Sequence, residues 1–176
     1  MQDKHTERPP AEQFAARVAA NQKALTGNLK PAYDFIVCGS GSSGAVVARR
    51  LAENPNVSVL LLEAGGSDDL PQIHDPARWL EIRNTAEDWA FETRPNPHLN
   101  GRSMPWAMGK VLGGSSSINA MAWARGHRND WDDYAQATGD DGWSYRHVLD
   151  IYRRIEDWRG APDPERRGSG GLLEVH

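Results

Sequence analysis

The sequence lacks the features expected of a membrane protein, a disulfide-stabilised secreted protein or a nucleic-acid-binding protein. Its 176 residues include one cysteine, Cys38, so no intrachain disulfide can form. No apolar run approaches the roughly 18 residues of a membrane span, and the N-terminus has no apolar signal-peptide core. Asp and Glu number 24 against 20 Lys and Arg, and the net charge of −4 argues against nucleic acid as the main partner. We therefore expect a cytoplasmic protein without a membrane span.

The stretch from Tyr33 to Gly66 has the order strand, glycine turn, helix, strand and acidic residue. Residues 33–38 are mostly apolar, which favours a strand buried on both faces and predicts that Cys38 is a small core residue. Apolar residues recur at helical spacing over 45–51, and residues 57–62 are typical of a second strand. This order indicates a dinucleotide-binding βαβ unit, and a purely structural βαβ unit is the alternative.

Three glycines follow the first strand in the pattern G-x-G-x-x-G, at Gly39, Gly41 and Gly44. In this motif the first glycine allows a tight turn, the second lets the backbone approach a pyrophosphate, and the third lets helix and strand pack closely. The helix N-terminus offers N–H groups to the phosphates. Glu63 lies 63 − 44 = 19 residues after Gly44, close to the roughly 20-residue spacing of a ribose-binding carboxylate. The motif by itself leaves NAD and FAD equally open.

A second glycine-rich segment, residues 109–119, reads GKVLGGSSSIN. Two glycines followed by three serines bring bare backbone N–H groups and hydroxyls to one place, where they can approach and donate to a flat ligand. A flexible linker has the same composition, but the flanking Val111, Leu112 and Ile118 are apolar, which a linker does not require. We therefore predict a ligand-contacting loop that leads into a helix.

The segments around these two motifs give further predictions. We expect a disordered arm over residues 1–10 and a helix over 11–26. The helix is expected to dock on the following domain through Phe14, Val18 and Leu25, and a partner-binding peptide is the alternative. Five prolines between residues 71 and 105 indicate a long excursion of the kind used as a lid or binding segment. Within it we predict a helix over Pro76–Asn84 and a strand over Trp89–Thr93.

The C-terminal third is predicted to be mainly helical. One helix is expected to begin at Asp130 and end at Gly139, and another to begin after an N-cap at Ser144 and run to about Trp158. Leu172 to Val175 is typical of a strand. Two parallel strands cannot bury both faces of a sheet, so we expect the sequence to be the front part of a longer protein.

Together, the two glycine-rich segments resemble the glucose–methanol–choline (GMC) oxidoreductases, flavoproteins that oxidise alcohols. The resemblance runs from about Tyr33 to Val175 and is carried by GSGSSGAVVA, LLLEAG and the segment GKVLGGSSSINAMAWARGHRNDWD. It is strongest to the choline-dehydrogenase-like branch. The resemblance implies an α/β fold with a Rossmann-like FAD-binding domain over residues 31–176, incomplete here, preceded by an N-terminal arm and helix over residues 1–30.

The resemblance also assigns residues to the cofactor. It implies FAD with its pyrophosphate held by Gly39, Gly41, Ser42, Ser43 and Gly44, and with the adenosine ribose bound by Glu63. The residues implied to lie along the flavin are Val111, Ser115, Asn119, Ala120, Met121 and Ala122. Some family members attach FAD covalently through a histidine just before the asparagine. Here that position is Ile118, so we expect noncovalent FAD.

The family reaction removes an alcohol proton with a histidine base while a hydride passes to flavin N5. That histidine lies near the end of a chain several times this length, and none of the six histidines here matches its motif. We therefore assign no catalytic residue and no metal, and expect no substrate turnover by these 176 residues alone. The alternatives are an NAD-dependent dehydrogenase domain and a non-catalytic nucleotide-binding remnant. The alcohol, the electron acceptor and the oligomeric state are not indicated.

Overall fold

A computed structural model gives the fold of residues 11–176, and the disordered arm predicted for residues 1–10 lies outside this range. The described chain forms two compact units, one ending at Asn119 and the other beginning at Ala120. The domain boundary predicted after residue 30 stays a prediction. No helix within residues 11–176 is long and apolar enough to cross a membrane.

The first unit begins with helix α1, Ala11–Gly27, close to its predicted bounds. Leu25, predicted to dock, is exposed, while the side chains of Phe14 and Val18 lie outside the described part. The docking of α1 through Leu25 is therefore not observed.

The predicted βαβ unit follows α1 and is confirmed. It consists of strand β1, Phe35–Cys38, helix α2, Gly44–Leu51, and strand β2, Val59–Leu62. The two strands pair in parallel from Phe35 opposite Val59 to Cys38 opposite Leu62. A parallel pair needs a crossover connection, and α2 supplies it by lying against both strands. Glu63 therefore stands directly after β2, beside the glycine turn that follows β1.

The predicted burial of β1 on both faces is wrong. Ile36 is 58 % exposed, and Cys38 is exposed and not a core residue. The physical reason is that β1 and β2 form a sheet of only two strands within residues 11–176, so α2 covers one face while the other has no layer against it. The apolar composition of β1 thus predicts its strand geometry correctly and its burial incorrectly.

The excursion after β2 supplies the core of the first unit. Helix α3, Pro71–His74, leads into a 3-10 helix over Pro76–Ile82, where a single helix over Pro76–Asn84 was predicted. Ile82 packs with Val111 and Ile118 in a buried cluster, against which Leu70 and Ile73 also pack. Val111 and Ile118, two of the apolar flanks of the second glycine-rich segment, are therefore core residues, which argues against the linker interpretation.

Two short strands complete this unit. Strand β3, Phe91–Glu92, lies inside the predicted Trp89–Thr93 and pairs antiparallel with β4, Pro105–Trp106. The buried carboxylate of Asp88 accepts hydrogen bonds from the backbone N–H groups of Asn84, Ala90 and Met108. Asp88 therefore ties the two arms of this hairpin together at its base.

The second unit contains helix α4, Arg128–Thr138, helix α5, Tyr145–Ile155, and the parallel strands β5, Glu156–Trp158, and β6, Leu173–Val175. Helix α4 begins two residues before the predicted Asp130, because His127 caps it by accepting from Asn129 N. It ends at Gly139 as predicted, with φ of +69°. The strand predicted at Leu172–Val175 is confirmed as β6.

Helix α5 begins after Ser144 as predicted but ends three residues before Trp158. The Ser144 hydroxyl donates to the carbonyl of Asp141 and makes no side-chain hydrogen bond that caps α5. Residues 156–158 leave the helix because they pair with residues 173–175 of β6. The apolar spacing of residues 145–158 could not reveal this pairing, since it depends on a strand 17 positions downstream (173 − 156 = 17).

Candidate functional site

The first glycine element is a turn that only glycine fits at two of its positions. Gly39 has φ of +92°, a left-handed conformation that glycine adopts without strain. A Cβ on Gly44 would overlap the carbonyl oxygen of Gly39. The chain of α2 therefore passes close against the end of β1, as the third glycine of the motif allows.

Glu63 lies beside this turn and binds it from the end of β2. Its Oε2 accepts hydrogen bonds from Ser40 N at 2.8 Å and from Ser40 Oγ at 2.6 Å, and its Oε1 accepts from Gly65 N at 2.9 Å. Burial acts to raise the pKa of Glu63, but the donors on Ser40 and Gly65 outweigh it and hold the pKa below its usual value. Glu63 is thus an ionised acceptor at the carboxyl edge of the sheet.

Ser40 joins the two glycine elements, which are 73 residues apart in the sequence. Its side chain is almost fully buried, with 2 % of the residue exposed. The hydroxyl donates to Glu63 and accepts from Gly113 N at 2.9 Å, so both roles of one hydroxyl are used. Beside it, a Cβ on Gly114 would lie 2.8 Å from Gly41 Cα. We call this contact of the two elements through Ser40, Glu63 and Gly113 the glycine junction.

The second glycine element is a tight turn rather than the start of an α-helix. Gly113 and Gly114 have φ of +88° and +55°, and residues 114–117 form a single 3-10 turn. Ser116 and Ser117 donate their hydroxyl protons back to the carbonyl oxygens of Gly113 and Leu112, both at 2.6 Å. The predicted helix after this loop is absent within residues 118–127.

Ser42 and Ser43 are exposed at the start of α2. Their backbone N–H groups make no hydrogen bond to any residue in the range 11–176. Unpaired N–H groups at a helix N-terminus are suited to bind an anion such as a phosphate. The glycine turn therefore has features suited to a dinucleotide: close approach and free donors for the phosphates, and an adjacent carboxylate for a ribose.

The residues implied to lie along the flavin differ in their surroundings. Val111 is fully buried in the core with Ile82 and Ile118, whereas Ser115 is half-buried and its Oγ accepts from Gly109 N. Asn119 is exposed at the end of the first unit. Ala120, Met121 and Ala122 are exposed in the second unit, and Met121 has φ of +57°. The flavin contacts of these residues stay predictions.

No pair of histidines suited to alcohol oxidation occurs among residues 11–176. His74, His147 and His176 each lie beside a nearby carboxylate or hydroxyl, His127 caps α4, and His98 is exposed. Within the same residues no group of His, Cys, Asp and Glu could hold a metal ion.

Two functional candidates are missing from the sequence-based assignment. Ser40 occupies a variable position of the glycine motif, and only its hydrogen bonds to Glu63 and Gly113 reveal its role. Glu156 in the second unit is fully buried and accepts from Trp123, Arg125 and Arg167. The one available signal was that Trp123 and Arg125 directly follow the segment implied to contact the flavin.

Comparison with known proteins agrees with this geometry. The family model described as GMC oxidoreductase matches residues 33–175. An oxygen-dependent choline dehydrogenase from Staphylococcus saprophyticus is 42 % identical over 151 residues, which cover 84 % of this chain and 27 % of the relative.

Two solved structures are similar in fold. The crystal structure of pyridoxine 4-oxidase from Mesorbium loti matches with a TM-score of 0.75 and 36 % identity, covering 82 % of this chain and 28 % of that one. A structure of Aspergillus oryzae formate oxidase, solved to study the effect of a mutation on FAD modification, matches with a TM-score of 0.70 and 35 % identity, covering 81 % and 26 %.

These matches identify the family and also its limits. The chain spans about a quarter of the length of the relatives it matches. Within that quarter it has the α/β fold of their FAD-binding domain, and GMC oxidoreductases are FAD-dependent. The resemblance seen in the two glycine-rich segments is therefore confirmed, and the chain belongs to the GMC oxidoreductase family.

Proposed function

We propose that this chain binds FAD noncovalently as the N-terminal part of a GMC-type enzyme that oxidises a small-molecule alcohol. The observation that carries the proposal is the glycine junction, in which the G-x-G-x-x-G turn, Glu63 and the second glycine element meet around Ser40. The family match supports FAD over the NAD alternative, because these relatives are flavoenzymes.

The adenine half of FAD is proposed to lie at the glycine turn. Gly39, Gly41 and Gly44 let the backbone come close to the pyrophosphate. The free N–H groups of Ser42 and Ser43 donate to its oxygens. A carboxylate has about four acceptor positions, and Ser40 and Gly65 occupy most of those on Glu63. We expect Glu63 to accept from one ribose hydroxyl without releasing Ser40.

The flavin half is proposed to lie along Val111, Ser115, Asn119, Ala120, Met121 and Ala122. Val111 takes part through the backbone around it, since its side chain is in the core. Ile118, at the position of the histidine that some family members link to FAD, is buried with Val111. An aliphatic side chain in the core has no nucleophile to offer, which supports noncovalent binding.

The chemistry that FAD supplies when bound is acceptance of a hydride from the alcohol carbon at flavin N5. The described residues bind and orient the cofactor, and none of them is placed to take the alcohol proton. We therefore propose that the 176 residues alone do not turn over substrate. The relatives named above act on choline, pyridoxine and formate, so the alcohol of this enzyme stays open, as does its electron acceptor. The cytoplasmic location stays a prediction.

The test is a flavin-binding experiment on the purified chain. After incubation with FAD and gel filtration, we expect a visible flavin spectrum, and acid precipitation should release the yellow colour into the supernatant. A protein that stays colourless with FAD but binds NAD would contradict the proposal. Colour that remains in the acid pellet would contradict noncovalent attachment.

A matched pair of glycine variants localises the binding. Gly44→Ala places a Cβ on the carbonyl oxygen of Gly39, so we expect it to lose most of the bound flavin. Gly66→Ala serves as the control, because a Cβ there meets no atom within 4 Å and Gly66 has no left-handed φ. Equal flavin content in the two variants would contradict the proposal that the glycine turn is part of the FAD site.

A further inference from the structure

Glu156 forms a buried centre in the second unit that no sequence motif marks. The residue is 0 % exposed, and its Oε2 accepts from Trp123 Nε1 at 2.8 Å, from Arg167 at 3.2 Å and from the guanidinium of Arg125. Its Oε1 accepts from Gly168 N at 3.2 Å. A buried carboxylate with two arginines and two further donors has its charge neutralised and its acceptor positions filled.

The donors on Glu156 come from two different stretches of chain. Arg167 and Gly168 belong to the loop that precedes β6. Trp123 and Arg125 belong instead to the irregular segment after Ala122, which has no helix or strand of its own before Arg128. A segment without a ladder of backbone hydrogen bonds depends on side-chain contacts and isolated hydrogen bonds to keep its conformation.

Aromatic contacts fix the same segment on Tyr152 of α5. The Trp123 ring meets the Tyr152 ring edge to face, with centroids 5.6 Å apart, and the Arg125 guanidinium lies 5.6 Å from the same ring. The carbonyl of Arg125 accepts from Trp131 Nε1 at 2.7 Å. Glu156 is therefore the charged centre of an anchor for the backbone immediately after Ala122.

The backbone of Met121, two positions before Trp123, is strained. Met121 has φ of +57°, a conformation that costs an L-residue free energy and persists only where its surroundings impose it. Trp123, two positions later, is held at both its indole N–H and its ring.

We propose that Glu156 is a positioning residue for the cofactor, which holds Ala120–Ala122 in the conformation that contacts the flavin by binding Trp123 and Arg125. This inference rests on the proposed function, since the flavin contact of that segment is part of it. As a positioning residue, Glu156 does not itself touch the cofactor. Its role is to order the segment before the flavin binds, so that binding does not have to order it.

The test compares two carboxylates on the same strand. Glu156→Gln removes the charge that holds Arg125. Asp157→Asn is the matched control, because Asp157 lies next to Glu156 on the same strand but accepts from Arg159 and Gly170 instead of from Trp123 and Arg125. Each purified protein is digested with trypsin without FAD, and cleavage after Arg125 is compared with cleavage after Arg49 or Arg50. Each is then titrated with FAD, and the visible circular dichroism of the bound flavin is recorded.

We expect Glu156→Gln to increase cleavage after Arg125 and to weaken FAD binding, each by about tenfold, the usual effect of losing a charge-assisted hydrogen bond. The circular dichroism of the remaining bound flavin should change as well. Asp157→Asn should leave all three unchanged. Equal effects of the two variants, or faster cleavage with unchanged FAD binding, would overturn the inference.

If Glu156→Gln does not fold, Trp123→Phe replaces it. That variant keeps the ring against Tyr152 and the ion pair, and loses one neutral donor, so we expect about a fivefold effect in the same direction. Wild-type protein that binds no FAD overturns the proposed function and the cofactor role of Glu156 with it. A difference in cleavage then identifies Glu156 as a structural anchor only.

Discussion

The two units each contain a glutamate at the end or start of a strand with a lowered pKa, yet the two carboxylates are arranged for different tasks. Glu63 is half-buried, and its donors are a serine and backbone N–H groups without charge. Glu156 is fully buried and has two arginines, an indole and a backbone N–H group around it. Glu63 keeps access to solvent and Glu156 does not.

This difference separates a residue that can meet a ligand from one that can only support its neighbours. A half-buried acceptor with neutral donors can add a ribose hydroxyl without leaving a charge unpaired. A fully buried carboxylate cannot exchange partners so easily, because any arginine it releases stays buried without compensation. At both carboxylates burial raises the pKa, but the hydrogen bonds outweigh it, so the direction of the pKa shift is the same at the two sites. The two carboxylates differ instead in solvent exposure and in the charge of their donors.

The largest expected effect comes from truncating each glutamate to alanine. Glu156→Ala leaves Arg125 and Arg167 near a buried cavity, and we expect a loss of about 3–5 kcal/mol in the free energy of unfolding. Glu63→Ala leaves only neutral donors, on Ser40 and Gly65, and should cost about 1–3 kcal/mol in the free energy of unfolding. Urea unfolding of both variants measures these losses. A larger loss of unfolding free energy in Glu63→Ala than in Glu156→Ala would contradict the different roles assigned to the two carboxylates.

An effect smaller than that of Glu156→Ala is expected from the hydroxyl that couples the two glycine elements. Ser40→Ala removes a donor from Glu63 and an acceptor from Gly113, both at a buried position, and should cost about 1–3 kcal/mol. The control is Ser103→Ala, at an exposed position, which should stay within about 0.5 kcal/mol of wild type. If urea unfolding gives equal values for the two serines, the glycine junction does not stabilise the first unit.

The smallest effect should appear in the dependence of stability on pH. Glu63 and Glu156 have folded pKa values below the ordinary 4.5, so on acidification the unfolded chain takes up protons first. Their contribution is fully present above about pH 4.5 and is lost as the pH falls through the folded values. Urea unfolding between roughly pH 6 and pH 3 should therefore show declining stability. The decline should be shallower in Glu156→Gln, and a slope equal to that of wild type would speak against the lowered pKa.

The sequence predicts the parts of this structure that depend on neighbouring residues. The order of β1, the glycine turn, α2 and β2 follows from local periodicity and glycine spacing, and the end of α4 follows from Gly139. The contacts of Ser40 and of Glu156 could not be predicted, because their partners lie 73 and 31 positions away along the chain. Residue type showed that these side chains are polar, and only the fold shows what they bind.

Burial was predicted less well than geometry for a related reason. Whether an apolar strand such as β1 is buried depends on which other elements pack against it. The residues of the strand itself do not indicate which elements those are. The same holds at the end of α5, where pairing with β6 takes Glu156 to Trp158 out of the helical pattern. Local sequence patterns therefore predicted which helices and strands form. Contacts between distant parts of the chain determined where these elements end and how far they are buried.

The most direct test of the central claim is competition for the glycine junction. The adenine half of FAD is proposed to lie on the glycine turn and Glu63. In a titration that follows the fluorescence of bound FAD, excess ADP should therefore displace FAD from the wild-type chain, and should do so at lower concentration than FMN, which lacks the adenosine half. Gly44→Ala, which is expected to bind little FAD, should also bind ADP more weakly than the wild-type chain does. Displacement by FMN with no effect of ADP would contradict the account, because the cofactor would then be held by its flavin alone.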